Sequence, residues 1–188
     1  MTTIYFVRHA EPNYNNHDDM SRELTAKEWS DRKRITAFLQ DKRISRVYSS
    51  PFKRAVDTVG DFALKNHLEI KTDFNFRERK VGDQWLEDFD AFAKRQWGDF
   101  SYKLTNGESL REVQERNIKA LKEILRDCEG ENVVIGTHGT ALSTIIAYYD
   151  SFAYEDFYRI QARLPWLVSM RFDGMNFVEW KEWELPEI

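Results

Sequence analysis

The sequence has few of the features that stabilise secreted or membrane proteins. It contains a single cysteine, Cys128, among 188 residues, so it cannot form an internal disulfide, and this suits a reducing compartment. No apolar run approaches the roughly 18 residues of a membrane span. The amino terminus also lacks a basic segment followed by an apolar one. We therefore expect a cytoplasmic protein that does not enter a membrane.

A basic surface is missing as well. The formal net charge is −4, which argues against general nucleic-acid binding, because a basic face supplies most of the affinity there. The length favours one domain spanning residues 1–188. A chain of this size buries roughly 70% of the surface that its unfolded form exposes, so it needs neither a metal nor a disulfide to fold.

Apolar runs alternate with helical patterns along the chain. Strands are predicted at 2–7, 44–49 and 132–139, and helices at about 25–41, 51–66, 109–129 and 140–149. The runs "LVSMRF" and "FVEWKEW" flank a four-residue turn and predict an antiparallel hairpin. Strands that alternate with helices indicate an α/β sandwich whose sheet is parallel in its centre.

Several helix starts carry capping signals. Thr25 and Glu28 form one Thr-x-x-Glu capping box, and the Ser-x-x-Glu pattern at 109–112 forms another. Ser50 is predicted to cap a helix with Pro51 at its first position.

A segment at about 80–106 has a different composition. It is rich in charges and aromatic residues and has no clear strand pattern; the aromatics are Trp85, Phe89, Phe92, Trp97, Phe100 and Tyr102. We predict a partly helical excursion from the domain that covers a pocket.

Three predicted strands lead to cationic side chains. The first ends in Arg8 and His9, the second leads to Arg54 in the first turn of a helix, and the third ends in His138. Ligands of open α/β sheets bind beyond the carboxyl ends of the parallel strands. Arginines, histidines and a helix amino terminus together favour a phosphate group. Gly139, next to His138, would allow the backbone to approach a ligand closely.

The motifs "VRHAEPNYN", "YSSPFKRAVDT", "FRERKVG", "GES" and "VVIGTHGT" resemble the successive motifs of the histidine phosphatase superfamily, which includes the cofactor-dependent phosphoglycerate mutases. The resemblance runs from residue 4 to about residue 142. It implies a phosphoglycerate mutase-like, three-layer α/β/α sandwich with a mostly parallel central sheet. It also implies a small phosphorylated metabolite as substrate.

The resemblance further implies roles for single residues. His9 would be the nucleophile that forms a covalent phosphohistidine, and Arg8, Arg54 and His138 would bind the phosphoryl oxygens. Asn15 matches a phosphate-pocket asparagine of the family. Glu78 matches the acid that protonates the leaving oxygen and then activates water.

Elementary chemistry agrees with these roles. Attack requires a neutral imidazole, and the neighbouring arginines disfavour protonation of His9. The transition state spreads charge over three oxygens, so fixed cations can supply most of the catalysis. A carboxylic acid facing a phosphate should have a raised pKa, which suits Glu78 to proton donation. We expect no metal or other cofactor, because arginines neutralise the charge.

The sequence departs from the family at several positions, among them Ala10 and Glu28, each of which stands where many members have glycine. Pro12 stands where many members have a phosphate-binding threonine, and Trp85 is shifted by one position. Three activities stay open at this point: a phosphatase of small monoesters, which we favour, a phosphoglycerate mutase, and a binding protein without activity. An oligomer is also compatible with the sequence.

Overall fold

The computed structural model describes residues 1–25, 29–83 and 86–187. Its strands are β1 (Thr2–Arg8), β2 (Ile44–Ser49), β3 (Ile70–Thr72), β4 (Asn132–Thr137), β5 (Trp166–Asp173) and β6 (Asn176–Trp183). Its helices are α1 (Trp29–Gln40), α2 (Lys53–Lys65), α3 (Phe89–Gly98), α4 (Leu110–Asp127), α5 (Gly139–Tyr149) and α6 (Tyr154–Gln161), with a 3₁₀ turn at Phe74–Phe76.

The strands form one sheet in the order β3-β2-β4-β1-β5-β6. Strands β1 to β4 are mutually parallel, because β4 pairs with both β1 and β2, and β2 pairs with β3. Strands β5 and β6 form the predicted antiparallel hairpin and extend the sheet from β1. The parallel centre brings the carboxyl ends of β1, β2 and β4 to one edge.

Helices cover both faces of the sheet. On one face, buried side chains of α1 and α2 pack against the alternate residues Tyr5 and Val7 of β1. On the other face, side chains of α3 to α6 pack against Ile4 and Phe6. The predicted three-layer α/β/α fold is therefore confirmed. Within the part of the chain that the structure describes, no helix is long and apolar enough to cross a membrane.

The three predicted helix starts have different outcomes in the structure. Helix α2 begins at Lys53 with Phe52 as its N-cap and no side-chain cap, so the prediction that Ser50 caps a helix starting at Pro51 is wrong. The capping box at 25–28 falls partly on Glu28, which is outside the described residues. The box at Ser109 is confirmed, because its hydroxyl and the Glu112 carboxylate each accept the other residue's N–H.

Candidate active site

The parallel register of the central strands brings two histidines together. Arg8 at the end of β1 pairs with Thr137 at the end of β4, so the next residues, His9 and His138, leave the sheet side by side. Their ring centroids are 5.2 Å apart. The predicted meeting of the strand ends is thus present in the fold.

His9 is held as a neutral imidazole with one nitrogen free. Its side chain is only 6% exposed, and Nδ1 lies 2.7 Å from the carbonyl oxygen of Ala10. A carbonyl can only accept, so Nδ1 carries the hydrogen and Nε2 keeps its lone pair. Burial, followed by the positive charges of Arg54 and Arg8, holds the pKa of His9 well below its usual value. The imidazole therefore has the protonation state that a nucleophile needs.

Arg54 is a buried cation at the start of α2. It is 3% exposed and donates from Nη1 to the backbone oxygen of Asp19 over 2.7 Å, while its Nη2 lies 3.3 Å from the Asp19 carboxylate. The guanidinium carbon of Arg54 also lies 5.0 Å from the centroid of the Phe52 ring. These contacts hold Arg54 in place, and its charge lies close enough to lower the pKa of His9.

Arg8 is anchored at the carboxyl end of α6. Its Nη1 donates to the carbonyl oxygens of Ile160 (2.6 Å), Gln161 (3.3 Å) and Arg163 (3.1 Å). Its Nε is buried and has no hydrogen-bond partner among the described residues. A Cβ atom added to Gly139 would lie 3.0 Å from both Nε and Cζ of Arg8. The glycine therefore allows Arg8 to pass close to the start of α5.

His138 is completely buried and precedes α5 as its N-cap residue. Its Nε2 lies 2.8 Å from the hydroxyl of Ser50, which also accepts the N–H of Phe52. Its Nδ1 is buried and has no partner within the described ranges. Burial and the charge of Arg54 hold the pKa of His138 well below its usual value. His138 and Arg8 thus each have one buried nitrogen without a hydrogen-bond partner among the described residues.

The carboxylate of Glu78 lies at the amino terminus of α5. It accepts the N–H groups of Arg79 (2.8 Å), Thr140 (3.0 Å) and Ala141 (3.1 Å). Its negative charge raises the pKa of Arg8 and of Arg54, against the larger effect of burial on each. The fold therefore brings Glu78 into the same cluster as the two arginines.

The segment after His9 contains Asn15, which the sequence analysis singles out, and Arg22, which it does not. Asn15 is exposed, and its backbone N–H donates to the side chain of Asn13 over 3.1 Å, so its role at the phosphate stays a prediction. Arg22, which the sequence patterns did not indicate, lies close enough to lower the pKa of His9. Its Nη1 is 3.3 Å from the Asp19 carboxylate that also contacts Arg54.

Ser50 is a further side chain at the site, through its contact with His138. The sequence around Ser50 indicates only a helix cap, whereas its contact with His138 joins residues 88 positions apart. No local pattern signals such a contact. Trp85 lies outside the described residues.

Comparison with known proteins agrees with this geometry. The sequence profile of the histidine phosphatase superfamily (branch 1) matches residues 4–184. Phosphoglycerate mutase-like protein 4 of Arabidopsis thaliana is 31% identical over 158 residues, which is 76% of this chain and 68% of that protein. The solved structure of Bacillus stearothermophilus YhfR is 26% identical and covers 95% of each chain with a TM-score of 0.79.

A more distant structure shares the fold alone. A phosphoserine phosphatase mutant from Entamoeba histolytica, solved in complex with phosphoserine, is 18% identical and covers 95% of this chain and 94% of its own, with a TM-score of 0.77. The chain belongs to the histidine phosphatase superfamily, branch 1. The prediction of a histidine phosphatase enzyme, made from the motifs, is confirmed at the level of the family.

Proposed function

We propose that the chain hydrolyses small phosphate monoesters through a covalent phosphohistidine on His9. The observation that carries this proposal is the state of His9: buried, neutral, and tied at Nδ1 so that Nε2 keeps its lone pair. Arg8 and Arg54 surround it with positive charge. Such an imidazole is a poor base for solvent protons but a well-placed nucleophile for a phosphoryl group.

In the first step, Nε2 of His9 attacks phosphorus and the bond from phosphorus to the ester oxygen breaks. Glu78, as a carboxylic acid, gives its proton to that oxygen, so an alcohol leaves. The buried nitrogens of Arg8 and His138 that lack protein partners would bind phosphoryl oxygens, together with Arg54. Fixed donors of this kind stabilise the charge spread over the transition state.

In the second step, the Glu78 carboxylate takes a proton from water while the water oxygen attacks phosphorus. The bond between phosphorus and Nε2 breaks, and its electron pair returns to His9. Inorganic phosphate leaves and Glu78 is again protonated. No step requires a metal, since cationic side chains carry the charge throughout.

The test is hydrolysis of p-nitrophenyl phosphate by the wild type and by His9→Ala. We expect the variant to lose nearly all activity and to form no acid-labile phosphoenzyme with labelled substrate. His67→Ala, which changes an exposed histidine after α2, is the matched control and should behave as the wild type. Equal activity of His9→Ala and the wild type would refute the proposal.

The same assays separate the alternatives. A mutase would move phosphate between 2- and 3-phosphoglycerate when primed with the bisphosphate, and this outcome would replace hydrolysis as the function. A binding protein without activity would show neither reaction. A panel of small phosphorylated metabolites, scored by phosphate release, would identify the substrate that we predict. The oligomeric state stays a prediction.

A further inference from the structure

An ion pair between Arg116 and Glu108 holds the backbone around Glu78. Arg116 lies on α4, and its guanidinium donates to the carbonyl oxygens of Asn75, Arg77 (2.9 Å) and Glu78 (3.3 Å). The same group contacts Glu108 through two hydrogen bonds of 2.9 and 3.1 Å. One side chain therefore ties down three carbonyls in the four residues that end at Glu78.

Glu108 completes the arrangement on the other side of Glu78. Its Oε1 accepts from the Arg77 guanidinium over 2.6 Å, and its Oε2 accepts the backbone N–H of Lys80 over 3.0 Å. Burial disfavours the charged form, but the hydrogen bonds from Arg116 and Lys80 outweigh it, so the pKa of Glu108 lies below its ordinary value. We call Arg116 and Glu108 together the clamp.

The clamp compensates for a lack of regular structure around Glu78. The 3₁₀ turn ends at Phe76, and residues 77–83 form neither helix nor strand, so no ladder of backbone hydrogen bonds fixes this stretch. Arg116, by contrast, lies within α4, an 18-residue helix with eight buried residues, and Glu108 immediately precedes the N-cap residue Ser109 of that helix. Arg116 and Glu108 are themselves only 11% and 16% exposed. A rigid helix therefore sets the position of an irregular segment.

We propose that Arg116 and Glu108 are positioning residues that place the Glu78 carboxyl at the leaving-group oxygen. This inference rests on the proposed function. It gives a role to the "GES" motif, whose glutamate is Glu108. Helix α5 contacts the side-chain carboxylate of Glu78 through two backbone N–H groups. The clamp, in contrast, would set where the backbone of Glu78 lies.

Leaving-group dependence tests this role. An ester with an alkyl leaving group needs a proton from Glu78. The leaving group of 2,4-dinitrophenyl phosphate is 2,4-dinitrophenolate, which leaves without a proton. We expect Arg116→Lys and Glu108→Gln to lower kcat/KM for glycerol phosphate about 10- to 100-fold, the cost of a displacement near 1 Å. Their kcat/KM for the dinitrophenyl ester should stay within about 3-fold of the wild type, because that reaction gains little from general acid catalysis.

Matched controls come from the same helix and from Glu78 itself. Arg111→Lys and Glu115→Gln repeat the two chemical changes at exposed positions of α4. Both variants should keep the wild-type kcat/KM for each ester. Glu78→Gln should show the same selective loss as the clamp variants, and a larger one. Activity on the dinitrophenyl ester also reports folding, since it requires an intact His9 site.

The outcomes separate this inference from the function on which it rests. If Glu78→Gln is selective but Arg116→Lys and Glu108→Gln are not, the positioning role is wrong and the function stands. An equal loss of kcat/KM for both esters in the clamp variants, through unfolding or damage to the whole site, would also overturn the positioning role. Equal turnover by the wild type and His9→Ala would instead defeat the proposed function.

Discussion

Lowering the pH from 7.5 to 5.5 should destabilise the folded chain through His9 and His138. Both side chains are buried, and burial, with the charge of Arg54, holds both pKa values well below 6.5. The unfolded chain takes up protons at these histidines as the pH falls through about 6.5, whereas the folded chain does not. Their contribution to stability is thus present above pH 6.5 and is lost below it.

The size of the effect follows from proton linkage. Over this pH interval an unfolded histidine gains about 1–2 kcal/mol relative to one that stays neutral, so the pair should remove about 3 kcal/mol. Domains of this kind have unfolding free energies of roughly 5–15 kcal/mol, so the loss is a measurable fraction. The loss would be smaller if either histidine became protonated in the folded state within this interval.

Urea unfolding, followed by the fluorescence of the six tryptophans at pH 7.5, 6.5 and 5.5, measures the effect. His9→Asn and His138→Asn should each remove about half of the pH dependence, whatever they do to stability at pH 7.5. His67→Asn is the control, since His67 is exposed and its backbone has φ of 54°, which asparagine tolerates. A wild-type stability that is flat over this interval would refute the reasoning, as would an unchanged slope in both site variants.

Three further predictions concern single contacts of the site. In the pH profile of kcat/KM, the midpoint of the decrease on the acid side should lie below pH 6.5, because neutral His9 would be the attacking form and its pKa is lowered. A midpoint above pH 6.5 would contradict this. Gly139→Ala should lower kcat/KM about 10- to 100-fold with an unchanged circular dichroism spectrum, since its Cβ would lie 3.0 Å from Arg8; wild-type kinetics would contradict it. Ser50→Ala should cost about 1–3 kcal/mol in urea unfolding, because it removes the hydrogen bond to buried His138; no loss of stability would contradict it.

The sequence was most informative where apolar runs are long and buried. Most residues of strands β1 and β4 are buried, so their apolar runs predict both strands. Strand β3 has only three residues, and two of them are exposed, so it has no pattern to recognise. Helix α6 begins at Tyr154 after the N-cap residue Ala153, whose side chain makes no capping hydrogen bond, so its start lacks the N-cap residue types that signal a helix.

The two histidines of the site and the arginines Arg8 and Arg54 followed from the ends of the predicted strands, but the contacts that fix them did not. Arg8 is held by the backbone of the α6 terminus, and the main contact of Arg54 is the carbonyl of Asp19. Arg116 likewise binds the carbonyls around Glu78. Every residue has a carbonyl oxygen, so no residue type can signal these contacts in a sequence.

Carbonyl partners also have a chemical consequence for the site. A carboxylate would orient an arginine and cancel its charge, whereas a carbonyl oxygen orients it and leaves the charge in place. Arg8 is oriented by carbonyls alone among its hydrogen bonds to the described residues. Under the proposed function, this charge would therefore be available to a phosphoryl dianion, and the buried Nε, which has no partner among the described residues, would add a hydrogen-bond donor. The backbone contacts that sequence cannot reveal are thus the ones that keep this side chain suited to phosphate.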